Sequence, residues 1–158
     1  MLGYGLSMTI ETSIDVAVPV RTAYDQWTQF EEFPQFMEGV ESVRQIDDTH
    51  LHWTAEIAGA RREWDAEITE QLPDERVAWR STSGTTHAGV VTFHRLDEGR
   101  SKIMLQLDVE PEGFVETAGD KLGFVKRQAV GDLERFKEFI EARGTESGAW
   151  RGSVEHDG

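Results

Sequence analysis

The chain has 158 residues, 38% of them hydrophobic, which fits one domain around a single core, and it carries a formal net charge of −14. That acidity disfavours nucleic acid and anionic lipid surfaces as partners, and the absence of cysteine excludes disulfides and thiolate chemistry. No apolar run reaches membrane-spanning length and residues 1–7 (MLGYGLS) lack a signal-peptide pattern, so a cytoplasmic protein with no integral membrane segment is expected.

Residues 1–8 read as an extension, with Met8 an alternative start. Residues 9–18 (TIETSIDVAV) alternate, with Ile10, Thr12, Ile14 and Val16 on one side, as in a half-buried strand. Pro19 stops that ladder and opens a short helix whose apolar side is Val20, Ala23, Tyr24 and Trp27. A second short helix is expected over 30–37 (FEEFPQFM), ended by Gly39. Strand-like alternation then recurs at 40–46, 50–57, 61–72, 76–81, 87–96 and 102–109. Turn signals separate these runs: Asp47-Asp48, Gly59, Pro73-Asp74, Ser83-Gly84 and Asp97-Glu98-Gly99. Finally, Ala118, Leu122, Val125, Ala129, Leu133, Phe136 and Ile140 follow at steps of four and three, the stripe of a long amphipathic helix. Gly144 stops it after Arg143, and residues 144–158 are polar and glycine-rich, as in a flexible tail.

Consecutive hairpins with one apolar face predict an antiparallel sheet, and the final helix is the element long enough to cover it. The order β-αα-β6-α carries FPQFM after the first helix, VAWRSTSG on the fifth strand, HAGVVTFHRL on the sixth and DLERFKEFIE in the last helix. This combination resembles the START-like (Bet v 1-like, SRPBCC) superfamily, and more narrowly its bacterial polyketide cyclase/dehydrase and coenzyme-Q-binding START group. The resemblance spans roughly Met8 to Arg143, and the domain it implies covers residues 9–143. It implies an α+β helix-grip fold, a seven-stranded antiparallel sheet curved around a long C-terminal helix. It also implies a cavity between the two for a lipid, quinone or polyketide-like ligand, in a monomer or homodimer without a cofactor. A polyketide cyclase/dehydrase of the aromatase type is the alternative, and a protein-interaction or chaperone-accessory module a further one. The resemblance carries over no catalytic set.

Trp53, Trp64 and Trp79 fall on the predicted inward face of successive strands, where broad apolar side chains suit a pocket with few polar anchors. The expected lining is Phe33, Phe36, Trp53, Trp64, Trp79, Phe93, Leu107, Leu122 and Val125, with Arg62 and His87 as polar anchors. Arg62 shares the face of Trp64, and either meets an anion inside or reaches water from the strand end. His50 and His52 share a strand face, but spacing supplies no third ligand, so no metal is expected. No serine elbow or phosphate loop is present, which leaves Arg62, His87 and the more remote Tyr24 for acid–base chemistry. Gly119 and Gly123 weaken the front of the long helix, beside Pro111-Glu112-Gly113, which reads as a hinge or an irregular lead-in.

Overall fold

The computed structural model describes residues 8–57, 59–84, 87–109 and 118–155. Strand β1 (Met8–Val16) is followed by helix α1 (Val20–Trp27) and a 3₁₀ helix (Phe30–Gln35). Six strands follow: β2 (Val40–Gln45), β3 (His50–Ile57), β4 (Ala60–Leu72), β5 (Arg76–Ser81), β6 (His87–Asp97) and β7 (Arg100–Val109). Helix α2 (Ala118–Arg143) follows the strands. The strands form one antiparallel sheet in the order β1-β7-β6-β5-β4-β3-β2. Every hairpin from β2 to β7 is local, and β1 closes the sheet by pairing with β7, Ile10 opposite Leu107 and Ile14 opposite Ile103. The predicted Pro34 helix is 3₁₀, a form common in short connecting turns.

The stripe on α2 is buried where it meets the sheet: Ala129, Leu133, Phe136 and Ile140 belong to the core, while Val125 is half-buried. Opposite them lie Ile68, Val77, Val91, Phe93 and Ile103 from the strands. Two sets of polar contacts fasten the helix. Gln128 Nε2 donates to the Glu38 carbonyl at 2.6 Å, Arg135 Nε to the Phe36 carbonyl at 2.9 Å, and Asp132 accepts the Glu38 amide at 3.2 Å. One turn further on, Lys137 Nζ donates to the Asp15 carbonyl at 3.2 Å and Glu141 accepts the Ala17 amide at 2.7 Å.

Strand β4 contains an irregularity that strict alternation does not anticipate. Its pairing with β5 shifts register between Ile68 and Glu70. An extra residue exchanges the two faces downstream. Gln71 is therefore turned inward and fully buried, while Glu70 pairs with Arg76 at 2.8 Å on the other side.

The convex face carries cross-strand ion pairs, among them Arg80–Glu67 at 3.0 Å and Lys102–Asp15 at 3.2 Å. Exposed pairs of this kind contribute little individually. His52 is better held, with Nδ1 2.7 Å from Asp65 and Nε2 3.0 Å from Glu63. These hydrogen bonds raise its pKa above the ordinary 6.5, Asp65 contributing most. A histidine raised in the fold stabilises fully below its unfolded pKa and loses that contribution as pH rises through the folded value. An NMR titration should place the His52 midpoint above that of a free histidine. Asp65→Asn should move it back down, and an unchanged midpoint in that variant would remove Asp65 as the cause.

The segment after α2 departs from the flexible tail its composition predicts. The Gly144 backbone is left-handed (φ 76°) and turns the chain back over α1. Gln26 Oε1 accepts the Ser147 amide at 2.8 Å, and Thr28 Oγ1 accepts the Trp150 amide at 3.1 Å. Ser147 Oγ bonds Glu32. Arg151 reaches Asp25 at 2.6 Å and Asp74 at 2.8 Å. Val154 then exchanges both main-chain hydrogen bonds with Gln71, at 2.7 and 2.8 Å.

Candidate functional site

The sheet's inner face carries a continuous run of rings. Antiparallel register sets Trp53 of β3 directly opposite Trp64 of β4, and the indoles stack 5.6 Å apart at 11°. Phe33 of the 3₁₀ helix tilts against Trp53 at 5.6 Å, and the His87 imidazole stands edge-on to Trp64 at 5.5 Å. The chain of contacts thus runs from the core to the beginning of β6. Gly84 allows the last part of it. A Cβ there would come within 2.8 Å of Trp64 Cβ, and its φ of 76° suits glycine.

Trp79 lies nearer the centre of the sheet, opposite Gly89 of β6. A Cβ on Gly89 would approach Trp79 Cζ2 to 2.5 Å and Leu107 Cδ2 to 2.9 Å. The missing side chain is what lets the indole lie across the strand. Sequence reading missed Gly89, although a glycine inside a strand is itself a sign of close approach. Gly89→Ala should displace the Trp79 ring and lower stability by about 1–3 kcal/mol, the usual range for overpacking. Denaturant melts and Trp79 fluorescence check it; an unmoved emission spectrum would mean the ring already has room.

The expected lining residues separate into layers. Phe33, Phe36 and Phe93 are fully buried in the core and form its floor. Trp53, Trp64, Trp79, His87, Leu107 and Val125 are half-buried. Arg62 is exposed near the start of β4, beside Trp64 in sequence but turned to water. The side chain of Leu122 and the 111–113 hinge lie outside the described residues. Tyr24 is fully buried away from this face, edge-on to Phe93 at 5.3 Å with the Arg151 guanidinium 5.8 Å from its ring centroid. Burial pushes its hydroxyl above the usual phenol range, which makes it a poor proton donor near neutral pH.

Few polar atoms serve this face. Trp53 Nε1 is buried with no hydrogen-bond partner among the described residues. His87 supplies the imidazole, with its amide donating to Ser81 Oγ at 3.0 Å. Among the described residues no three histidines or acids are grouped as metal ligands would be, and no helix is long and apolar enough to cross a membrane. Chemically the described residues of the face offer stacking area, with the His87 imidazole beside it.

Known proteins place this architecture. The chain is 62% identical over 146 residues, covering 92% of itself and 97% of the relative, to an uncharacterised 17.2 kDa protein of the melC2-rnhH intergenic region of Streptomyces lincolnensis. Its fold is similar to the Zhui aromatase/cyclase from Streptomyces sp. R1128, with TM-score 0.76, 18% identity, and coverage of 91% of this chain and 99% of that one. It is also similar to a START superfamily protein from Mycobacterium smegmatis, with TM-score 0.64, 19% identity, and coverage of 85% and 95%. The model of the family described as polyketide cyclase / dehydrase and lipid transport matches residues 16–138, from the end of β1 into the last turns of α2. With the helix gripped by a seven-stranded sheet and the family pattern running from the end of β1 through most of α2, the chain belongs to the polyketide cyclase / dehydrase and lipid transport family.

Proposed function

We propose that the protein binds a small, flat hydrophobic molecule against the tryptophan face, between the sheet and α2. The observation that carries this is the half-buried stacked pair Trp53–Trp64, continued by His87 on one side and Phe33 on the other. The neighbouring core rings Phe33 and Phe136, by contrast, are fully buried. Two parallel indoles present a planar surface, which favours a ring system such as a quinone or polyketide over a saturated acyl chain. Burial of apolar ligand surface would supply most of the affinity, at about 25 cal/mol per Å². Trp53, Trp64, Trp79, Leu107, Val125 and Leu122 are the proposed contacts, over a floor of Phe33, Phe36 and Phe93. His87 is the polar anchor, and Arg62 serves the rim.

Native mass spectrometry of the purified chain, followed by solvent extraction, tests the reading by showing whether such a molecule travels with it. Titration with a planar probe, 1-aminoanthracene, gives the affinity. Trp64→Ala should weaken it about tenfold or more, because a lost aromatic contact is worth about 1.5–3 kcal/mol. Probe affinity equal to wild type in Trp64→Ala would take the site off this face.

A second reading, catalysis of polyketide cyclisation or dehydration, is favoured by one observation, the His87 ring against Trp64 at 5.5 Å. A general acid or base there would act on a ligand stacked on the same indole. His87→Ala should then abolish turnover of a polyketide substrate while weakening probe binding much less than Trp64→Ala does. Turnover unchanged in that variant would exclude His87 as the acid–base group.

A further inference from the structure

Besides Asp74 and Gln71, the C-terminal segment touches the domain along one pair of helices. Asp25, Gln26 and Thr28 belong to α1 or its end, and Glu32 belongs to the 3₁₀ helix. The opposite side of the same two helices carries the rings that lead to the ligand face. Trp27 lies 5.3 Å from Phe33, Phe33 5.6 Å from Trp53, and Trp53 5.6 Å from Trp64. We propose that residues 145–154 are a latch for the ligand face, with Arg151 its positioning residue. By holding α1 and the 3₁₀ helix from outside, the latch sets where Phe33 seats the stacked Trp53–Trp64 pair.

The physical reason lies in what each side of α1 supplies. Eight residues are too few for a helix to persist alone, so tertiary contacts fix its position. The ring contacts in this layer range from stacked at 11° to edge-on at 86°, so ring packing by itself does not fix a single seat. Hydrogen bonds are directional, and those holding the outward side of α1 come largely from the tail. The tail itself contributes little apolar area beyond Val154 and the half-buried Trp150, so it is held chiefly by directional polar contacts. A site whose supporting layer is loosened keeps its residues but loses their placement.

Only the binding arm of the test rests on the ligand reading above. Stacked indoles give an exciton couplet in far-ultraviolet circular dichroism, identified here by its loss in Trp64→Phe. Arg151→Met in the full-length chain should roughly halve that couplet and weaken 1-aminoanthracene binding about tenfold. Arg151→Lys should restore part of both. Asp74→Asn, which leaves Asp25 paired, should shift both in the same direction by less. Ile140→Val, a destabilising change at the far end of α2, should leave both at wild-type values. A wild-type couplet in Arg151→Met and Asp74→Asn, with only the melting temperature lowered, would overturn the latch. A reduced couplet in a protein that never binds the probe would uphold the latch and overturn the ligand reading.

Discussion

Arg151→Ala is expected to lower the free energy of unfolding by about 3 kcal/mol or more, because it removes one partner of a buried ion pair. The Asp25 side chain is 2% exposed and that of Arg151 28%, so the carboxylate bears the larger desolvation penalty. Its remaining cationic neighbour, Arg21, lies 3.6 Å away and is 66% exposed, too well solvated to substitute. Burial already raises the Asp25 pKa above the ordinary carboxylate range, with Arg151 opposing that shift. Without Arg151 the opposition is gone and the carboxyl is pushed higher still. A carboxyl raised in the fold favours the folded state at low pH and loses that advantage as pH rises through its folded pKa. The deficit of Arg151→Ala should therefore be largest near neutral pH and shrink in acid. Asp25→Asn introduced into Arg151→Ala should recover much of the loss. Denaturant unfolding at two pH values measures both effects. A deficit independent of pH and unrelieved by Asp25→Asn would mean that packing against Tyr24, and not a stranded charge, is what Arg151 provides.

Trp27→Ala should have an effect at least as large, about 3–5 kcal/mol, as expected for deleting a large buried aromatic. Trp27 is 3% exposed and sits where α1, the 3₁₀ helix, β6 and α2 converge. Its ring lies 5.3 Å from Phe33, 6.3 Å from both Phe36 and Phe93, and 5.2 Å from Phe136. Four rings from three elements cannot close on the resulting void together, because each is also held by its own neighbours. Phe36, for example, is pinned through its carbonyl by Arg135. Poor collapse puts the loss toward the upper end of the range. Trp27→Phe keeps most of the volume and should lose less than half as much. Urea melts with an unchanged slope would locate the difference in stability and not in the extent of unfolding. If Trp27→Ala and Trp27→Phe were equally destabilised, the cavity account would fail.

Much of the domain was legible from local patterns. The four–three spacing from Ala118 to Ile140 defined α2. Turn residues such as Asp97-Glu98-Gly99 delimited the hairpins. Alternation turned Trp53, Trp64 and Trp79 toward one face. These features share a cause: each depends on residues a few positions apart, within reach of one turn or one pleat.

What only the tertiary structure decided depends on distant partners. Register made a stacked pair of Trp53 and Trp64, and put Gly89 beneath Trp79. An irregularity after Ile68 turned Gln71 inward, against the alternation expected of β4. The largest departure is the tail. Its glycine-rich, polar composition carries no periodicity, yet Arg151 meets Asp25 across 126 positions. Hydrophobic period records which face of an element is dry. It holds no record of which buried carboxylate waits for which cation, because that match exists only once the chain has folded around both.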